Sequence, residues 1–215
     1  MKKLLLLLFI FSLTSYSQEI SYKGNTAIVV FQLDSLSADE IHSRALSAIA
    51  NIFNSANDVI QLNDKASKKI VVRGKASVEI TNPIKSMYPK NKFIGDLMPV
   101  YFDTKVNIDS KDNRYRIVYE VMNPETQYGN GRAPFGFISF DFPKENEEIG
   151  YAERMMGDKS LKILGKKKLE LYKAALIKVP KEVAQTLRIQ STLFLNSIQS
   201  EMIGLSEVSI ESDDW

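Results

Sequence analysis

Three pairs of adjacent carboxylates could supply general acid–base chemistry. They are Asp39-Glu40, Glu147-Glu148 and Asp213-Asp214. Two carboxyl groups that flank a glycosidic bond can hydrolyse it, and such partners are usually distant from one another in sequence. The first pair is explained by helix capping, the second falls in a predicted charged loop, and the third is terminal. The sequence therefore selects no pair as a hydrolytic site, although it leaves a polysaccharide hydrolase open as an alternative.

The sequence gives little support for nucleophilic or metal-dependent catalysis. The chain has one histidine, His42, and no cysteine, which excludes disulfides, zinc held by cysteine, iron–sulfur clusters and multi-histidine metal sites. Ser43 follows His42, but adjacent residues of a helix do not face each other, so they form no Ser–His pair. The core positions of this helix are already filled, so His42 is predicted at its flank or surface. We predict no catalytic residue, no metal ligand and no cofactor.

A cluster of lysines is the remaining charged feature. Residues 159–181 contain eight lysines and one acidic residue, Glu170. Solvated lysines whose stems cover apolar surface are the favoured interpretation. The alternative is contact with an anionic surface such as lipid headgroups, through Lys162, Lys166 and Lys173 on the side opposite the apolar stripe. Pairing with the acidic end of the chain is a third, weaker possibility.

The first seventeen residues have the three-part pattern of a secretory signal peptide. Lys2 and Lys3 precede an apolar run at 4–13, and Ser15 and Ser17 occupy the −3 and −1 positions of a cleavage site. The run is too short for a transmembrane anchor. Cleavage before Gln18 would leave equal numbers of basic and acidic residues, which does not fit a nucleic-acid binder. We therefore expect an exported protein, located in the periplasm, at the outer membrane or outside the cell.

The first half of the chain predicts an α+β fold. Ser37 and Glu40 form a capping box before a helix with one apolar face, which ends near residue 54. Strands are predicted from β-branched runs and from alternation of apolar and polar residues, at 26–32, 58–62, 70–80, 100–109 and 114–122. The last two should pair as a hairpin. The expected order is β-α-β-β-β-β, an antiparallel sheet with one helix packed on it.

Several segments of this half also resemble a known family. They are the helix end at 53–57, the stretches at 58–65 and 70–75, and the hairpin turn at 112–116. Over about residues 27–121 the chain resembles the secreted bacterial family called domain of unknown function 4468, which is described as having a TBP-like fold. The resemblance implies that fold and a Gram-negative envelope setting. It implies no activity and no catalytic residue, and a TBP-like topology does not confer DNA binding.

The second half predicts a loop, an aromatic strand and a helical tail. Residues 123–134 are rich in Gly, Pro and Asn, and residues 135–142 carry four phenylalanines. A core or edge strand is favoured there, and a stacking platform for a sugar, with Tyr128 and Arg132 nearby, is the alternative. An apolar stripe runs from 160 to about 202 and is interrupted by Pro180, which should end or kink one helix or start a second.

These patterns predict four parts: a signal peptide at 1–17, an α+β domain at 18–125, a loop with an aromatic strand at 126–150, and a helical extension at 151–215. The function that fits them best is a non-catalytic binding or scaffold protein of the envelope, with an unknown envelope protein or glycan as partner and no nucleic acid. The alternatives are the polysaccharide hydrolase and a protein that associates with anionic membranes through its Lys-rich helix.

Overall fold

The computed structural model describes residues 19–53, 55–128, 131–157 and 165–208, so the predicted signal peptide lies outside the described residues. Its strands form one antiparallel sheet of seven strands, in the order β1-β2-β6-β5-β4-β3 with β7 on β6. The strands are β1 (Ser21–Lys23), β2 (Thr26–Gln32), β3 (Ile60–Asp64), β4 (Lys69–Thr81), β5 (Leu97–Lys111), β6 (Arg114–Tyr128) and β7 (Gly131–Pro134). The helices are α1 (Ala38–Ile52), α2 (Ala56–Val59), α3 (Pro83–Met87), α4 (Glu145–Met156) and α5 (Lys166–Val208). The predicted α+β class and the antiparallel sheet are confirmed.

Alternation along the central strands separates a buried face of the sheet from an exposed one. In β5 the even-numbered residues from Val100 to Ser110 are buried, and the odd-numbered residues between them are half-exposed. This is the period of two that places successive side chains on opposite faces. The buried face lies under α1 and α5, which contact β5 and β4 respectively.

The helix α1 begins where the sequence predicts, with the Ser37 half of the capping box formed and the Glu40 carboxylate paired with Arg44. The Ser37 Oγ accepts a hydrogen bond from the Glu40 backbone N–H at 3.3 Å, which satisfies one of the free donors of the first turn. Ile41, Ala45 and Ile49 are fully buried, one face at three- and four-residue steps. That face packs on the sheet, as the sequence predicts.

One continuous helix, α5, replaces the two predicted at the C-terminal end, and Pro180 lies inside it. A proline in a helix interior costs about 3 kcal/mol, because it removes a backbone hydrogen bond and crowds the preceding turn. Here the apolar side chains on both sides of Pro180, including Leu176 and Val183, are buried against the same domain. Burial on both sides outweighs the local penalty and keeps the helix in one piece.

Assignments between residues 123 and 151 are also wrong. The predicted loop at 123–134 is largely strand, because β6 continues to Tyr128 and pairs with β7. Glu147 and Glu148 lie in the first turn of α4 rather than in a loop, where acidic side chains suit the positive end of the helix. The helical region therefore begins before residue 151.

The aromatic segment at 135–142 is core-forming but is not a strand. Phe135 and Phe140 are buried, which agrees with the favoured core interpretation. The segment's backbone finds partners outside the sheet ladder: the Phe135 N–H donates to the Pro124 carbonyl at 2.8 Å and the Phe140 N–H donates to the Gly24 carbonyl at 2.6 Å. These backbone hydrogen bonds hold the buried rings in place. The segment is not paired in the sheet, so its alternation of apolar and polar residues does not produce a strand.

In the part of the chain that the structure describes, no helix combines the length and apolar character needed to cross a membrane.

Candidate functional site

The exposed face of the sheet carries a row of cross-strand charge pairs. We call it the open face, and it is formed by the side chains of β4, β5 and β6 that point away from the helices. Lys75 Nζ lies 3.1 Å from Asp103 Oδ1, and Arg116 Nη2 lies 2.7 Å from Asp109 Oδ2. Opposite charges at neighbouring positions stabilise the register of antiparallel strands. They also leave the open face polar and of mixed sign.

A groove of about 210 Å³ lies on the open face where β4, β5, β6 and β7 meet. Its lining includes Lys75, Tyr101, Asp103, Asn123 and Arg132. Four separate strands supply these residues. The groove exists only because the sheet brings them together, and we refer to it as the open-face groove.

An irregularity in β6 shapes one wall of this groove. The register between β5 and β6 shifts between Tyr101 and Asp103, and Asn123 has a backbone φ of 50°, a left-handed conformation that asparagine tolerates. The Asn123 Nδ2 donates a hydrogen bond to the Asp103 Oδ2 at 2.9 Å. The bulge thus positions the Asn123 side chain to hydrogen-bond the Asp103 carboxylate.

Arg132 of β7 also lines the open-face groove. Its guanidinium carbon lies 3.9 Å from the centre of the Tyr101 ring, a cation–π contact, and its Nη1 lies 3.7 Å from Glu125 Oε2. The sequence places Arg132 near a sugar platform of phenylalanines. In the structure, Arg132 of β7 instead reaches across β6 and stacks on Tyr101 of β5, while Phe135 and Phe140 fill the core.

The charge state of Asp103 limits its chemistry. The hydrogen bond from Asn123 and, after it, the hydrogen bond from Lys75 hold the pKa of Asp103 below its usual value. Hydrogen bonds to a carboxylate favour its charged form. Asp103 is therefore an acceptor and ion-pair partner at neutral pH, whereas the acid of a glycosidase needs a raised pKa.

His42 is buried, not at the flank or surface of α1 as the sequence predicts. Its Nε2 lies 2.8 Å from Asn63 Oδ1, so the edge strand β3 gives the ring a hydrogen-bonding partner and lets it enter the interior. Ser43 is exposed, and the two side chains thus lie on different sides of the helix. His42 has a structural environment and forms no pair with Ser43.

The carboxylate pairs have structural partners where the structure describes them. Asp39 pairs with Lys68, and the hydrogen bond from Lys68 lowers the pKa of Asp39. Glu40 pairs with Arg44 at 2.7 Å, and Glu147 Oε2 accepts the Lys144 backbone N–H at 2.8 Å. The pair Asp213-Asp214 lies outside the described residues. Among the described residues, no three acidic or histidine side chains form a group that could hold a metal ion.

The structure describes two of the three lysines singled out for anionic contact. Lys162 lies outside the described residues, Lys166 is exposed at the start of α5, and Lys173 lies 3.8 Å from Glu153 of α4. The apolar stripe of the same helix is buried against the domain. A helix that inserts into a membrane surface needs such a stripe for lipid, and in this structure the stripe is occupied by its contacts with the domain.

Replacing Lys162, Lys166 and Lys173 by glutamine should change the free energy of unfolding by no more than about 0.5 kcal/mol. Lys166 and Lys173 are solvent-accessible, and an exposed ion pair such as Lys173–Glu153 contributes little. Urea denaturation of the triple variant and of wild type measures the difference. A loss of several kcal/mol would mean that the lysines hold the extension to the domain.

Comparison with known proteins gives a family match and distant structural likenesses. Residues 29–124 match the family described as "domain of unknown function (DUF4468) with TBP-like fold", which confirms the predicted fold type over this region. No curated protein matches the chain.

Two solved structures are similar. A TBP-like protein from Parabacteroides distasonis ATCC 8503 is 14% identical with a TM-score of 0.41, and the match covers 83% of this chain and 92% of that one. A DUF4468 family protein from Bacteroides ovatus ATCC 8483 is 10% identical with a TM-score of 0.39, and the match covers 79% of this chain and 88% of that one.

Proposed function

We propose that this chain is an exported, non-catalytic binding or scaffold module that holds an envelope protein or glycan at the open-face groove. The observation that carries the proposal is the Arg132–Tyr101 stack beside charges of both signs in a concave part of the sheet surface. The N-terminal sequence pattern supports export.

The stacked arginine is well suited to recognition. A guanidinium has five N–H donors, and one carboxylate at 3.7 Å cannot satisfy them. Tyr101 holds the guanidinium plane in place, so few rotamers are lost when a partner binds. Tyrosine and arginine are the residue types that most often dominate the energy of an interface.

The charge arrangement favours binding over hydrolysis. Asp103 is held ionised by Asn123 and Lys75, so it offers hydrogen-bond acceptors to a hydroxyl or an amide but no proton to a leaving group. Lys75 and Arg132 offer donors on either side. The groove can therefore bind a polar chain that carries both hydrogen-bond donors and acceptors.

Affinity capture from the organism's own envelope fraction tests the proposal. We expect the Arg132→Ala variant to recover at least about tenfold less of one partner than wild type, because truncating a central arginine costs about 2 kcal/mol or more. Arg116→Ala is the matched control, since Arg116 lies on the same face but pairs with Asp109 away from the groove. Competition with purified envelope polysaccharide separates a glycan partner from a protein.

Two results would contradict the proposal. One is equal recovery of every captured molecule by wild type and Arg132→Ala. The other is cleavage of envelope polysaccharide by wild type and not by Asp103→Asn, which would establish the hydrolase alternative instead.

A further inference from the structure

A fully exposed phenylalanine stands at the tip of the connection between α3 and β5. Phe93 is 99% exposed, although the transfer of a phenylalanine side chain out of water is among the larger favourable contributions that one residue can make. Ile84 in α3 and Leu97 at the start of β5 are also exposed. We call residues 88–96 the tip loop.

The tip loop is held in shape from within. The Lys85 Nζ donates hydrogen bonds to the carbonyls of Asn91 at 3.0 Å and Ile94 at 2.8 Å, and it lies 3.3 Å from Asp96 Oδ1. At the base of the loop, the Asn82 Nδ2 donates to the Gly95 carbonyl at 3.1 Å.

The Phe93 N–H itself donates to Asn91 Oδ1 at 2.9 Å. The backbone on both sides of Phe93 is thus fixed by hydrogen bonds. A partner that buries the ring would not also have to order the loop.

Several lysines lie near this apolar tip. Lys90 and Lys92 precede Phe93 in the loop, and both are exposed. The start of α5 lies beside the loop, since Lys168 Nζ is 4.1 Å from the centre of the Tyr88 ring and the Ser86 Oγ donates to the Leu171 carbonyl at 3.2 Å. Lys166 and Lys167 belong to the same first turn and are exposed. The acidic Asp96 is paired with Lys85.

We propose that the tip loop is a membrane-contact site, which inserts Phe93 into the interface of an anionic phospholipid bilayer while the lysines of the loop and of the start of α5 bind the headgroups. A fully exposed aromatic residue with lysines beside it in the same loop fits a bilayer surface, because the ring reaches the acyl boundary at a depth where lysine ammonium groups meet phosphates. Each lysine near an anionic surface adds attraction, which salt screens. The contact goes beyond the proposed binding function, since the tip loop and the open-face groove share no residue.

Vesicle binding by the full chain, purified after export, tests this site. Vesicles of phosphatidylglycerol and phosphatidylcholine in equal amounts are compared with vesicles of phosphatidylcholine alone, at low salt and at about 0.15 M salt. We expect wild type to bind the anionic vesicles at low salt. Phe93→Ala and the double variant Lys90→Gln/Lys92→Gln should each reduce the partition coefficient by about tenfold or more.

Matched controls distinguish binding through the tip loop from non-specific binding through any exposed apolar or basic side chain. Leu193→Ala removes an apolar side chain that is 66% exposed on α5, and Lys65→Gln removes an exposed lysine from the turn between β3 and β4. Both should bind as wild type does. Insertion is read separately with Phe93→Trp in a Trp215→Phe background, which removes the chain's single native tryptophan. Its emission should shift to the blue with anionic vesicles and not with soluble glycerophosphate.

Three results would overturn the proposal. They are the absence of wild-type binding to anionic vesicles at low salt, equal binding by wild type and Phe93→Ala, and an unshifted emission of the Phe93→Trp variant when the protein is vesicle-bound. Loss of self-association or of a soluble protein partner in Phe93→Ala, with vesicle binding unchanged, would assign the loop to a protein interface instead.

Discussion

Replacing Ile49 by alanine should lower the free energy of unfolding by about 2–5 kcal/mol. Ile49 is fully buried on the face of α1 that packs against the sheet. Truncation removes three methyl or methylene groups and leaves a cavity, which neighbouring side chains fill only in part. Equilibrium denaturation in urea, followed by circular dichroism, measures the change.

Ser37→Ala is the companion variant, because it alters the same helix without touching the core. It removes the hydrogen bond from the Glu40 N–H to the Ser37 Oγ and should cost about 1 kcal/mol. A larger loss for Ser37→Ala than for Ile49→Ala would show that the face of α1 is wrongly assigned.

Arg188→Ala should destabilise the protein by about 2–3 kcal/mol, because a charged hydrogen bond to a part-buried carbonyl is lost. The Arg188 Nε donates to the Phe140 carbonyl at 2.6 Å. Its guanidinium carbon lies 4.5 Å from the Tyr22 ring centre and 4.3 Å from the Phe142 ring centre. One side chain thus joins α5, β1 and the aromatic segment.

Two controls accompany Arg188→Ala in thermal and urea denaturation. Arg188→Lys keeps the charge but loses the planar stacking and should recover only part of the stability. Arg154→Ala removes an exposed arginine of α4 and should be nearly neutral. A loss for Arg188→Ala as small as that for Arg154→Ala would mean that the aromatic segment is held by its buried rings alone.

Local patterns predict the first half of the fold because its elements obey the periods of a helix or a strand. The helix α1 begins one residue after the predicted cap at Ser37, and β2 coincides with the predicted strand at 26–32. The hairpin of β5 and β6 turns at the predicted residues, since alternation fixes which residues enter the core.

Tertiary contacts decide the second half, and local patterns mislead there. Phe140 has a strand-like neighbourhood in sequence, but its N–H binds Gly24, more than a hundred residues away. Pro180 signals a helix end, but burial on both sides of it keeps α5 continuous. His42 lies beside filled core positions, and only the distant Asn63 explains its burial.

The open-face groove is beyond local prediction for a related reason. Lys75, Tyr101 and Arg132 lie on three strands and meet only through their register. The bulge at Asn123 shifts the register of β5 and β6, and the alternation of apolar and polar residues does not predict it. The available signal is an asparagine inside an alternating strand, since asparagine tolerates positive φ and bulges often lie beside functional sites.

The packing of α5 on α1 also sets the order in which this chain can fold. The Asn51 Nδ2 donates to Glu201 Oε2 at 2.9 Å, and the Tyr22 hydroxyl lies 3.0 Å from Thr192 Oγ1, so α5 contacts elements that precede it by more than a hundred residues. Such long-range contacts slow folding and cannot form until α5 has been synthesised. A ribosome-bound chain that lacks α5 has no cover for the apolar surface beneath Leu195 and Ile198. The contacts that complete this core therefore form only after α5 has joined the earlier elements, which makes the covering of the sheet's buried face a late step of folding.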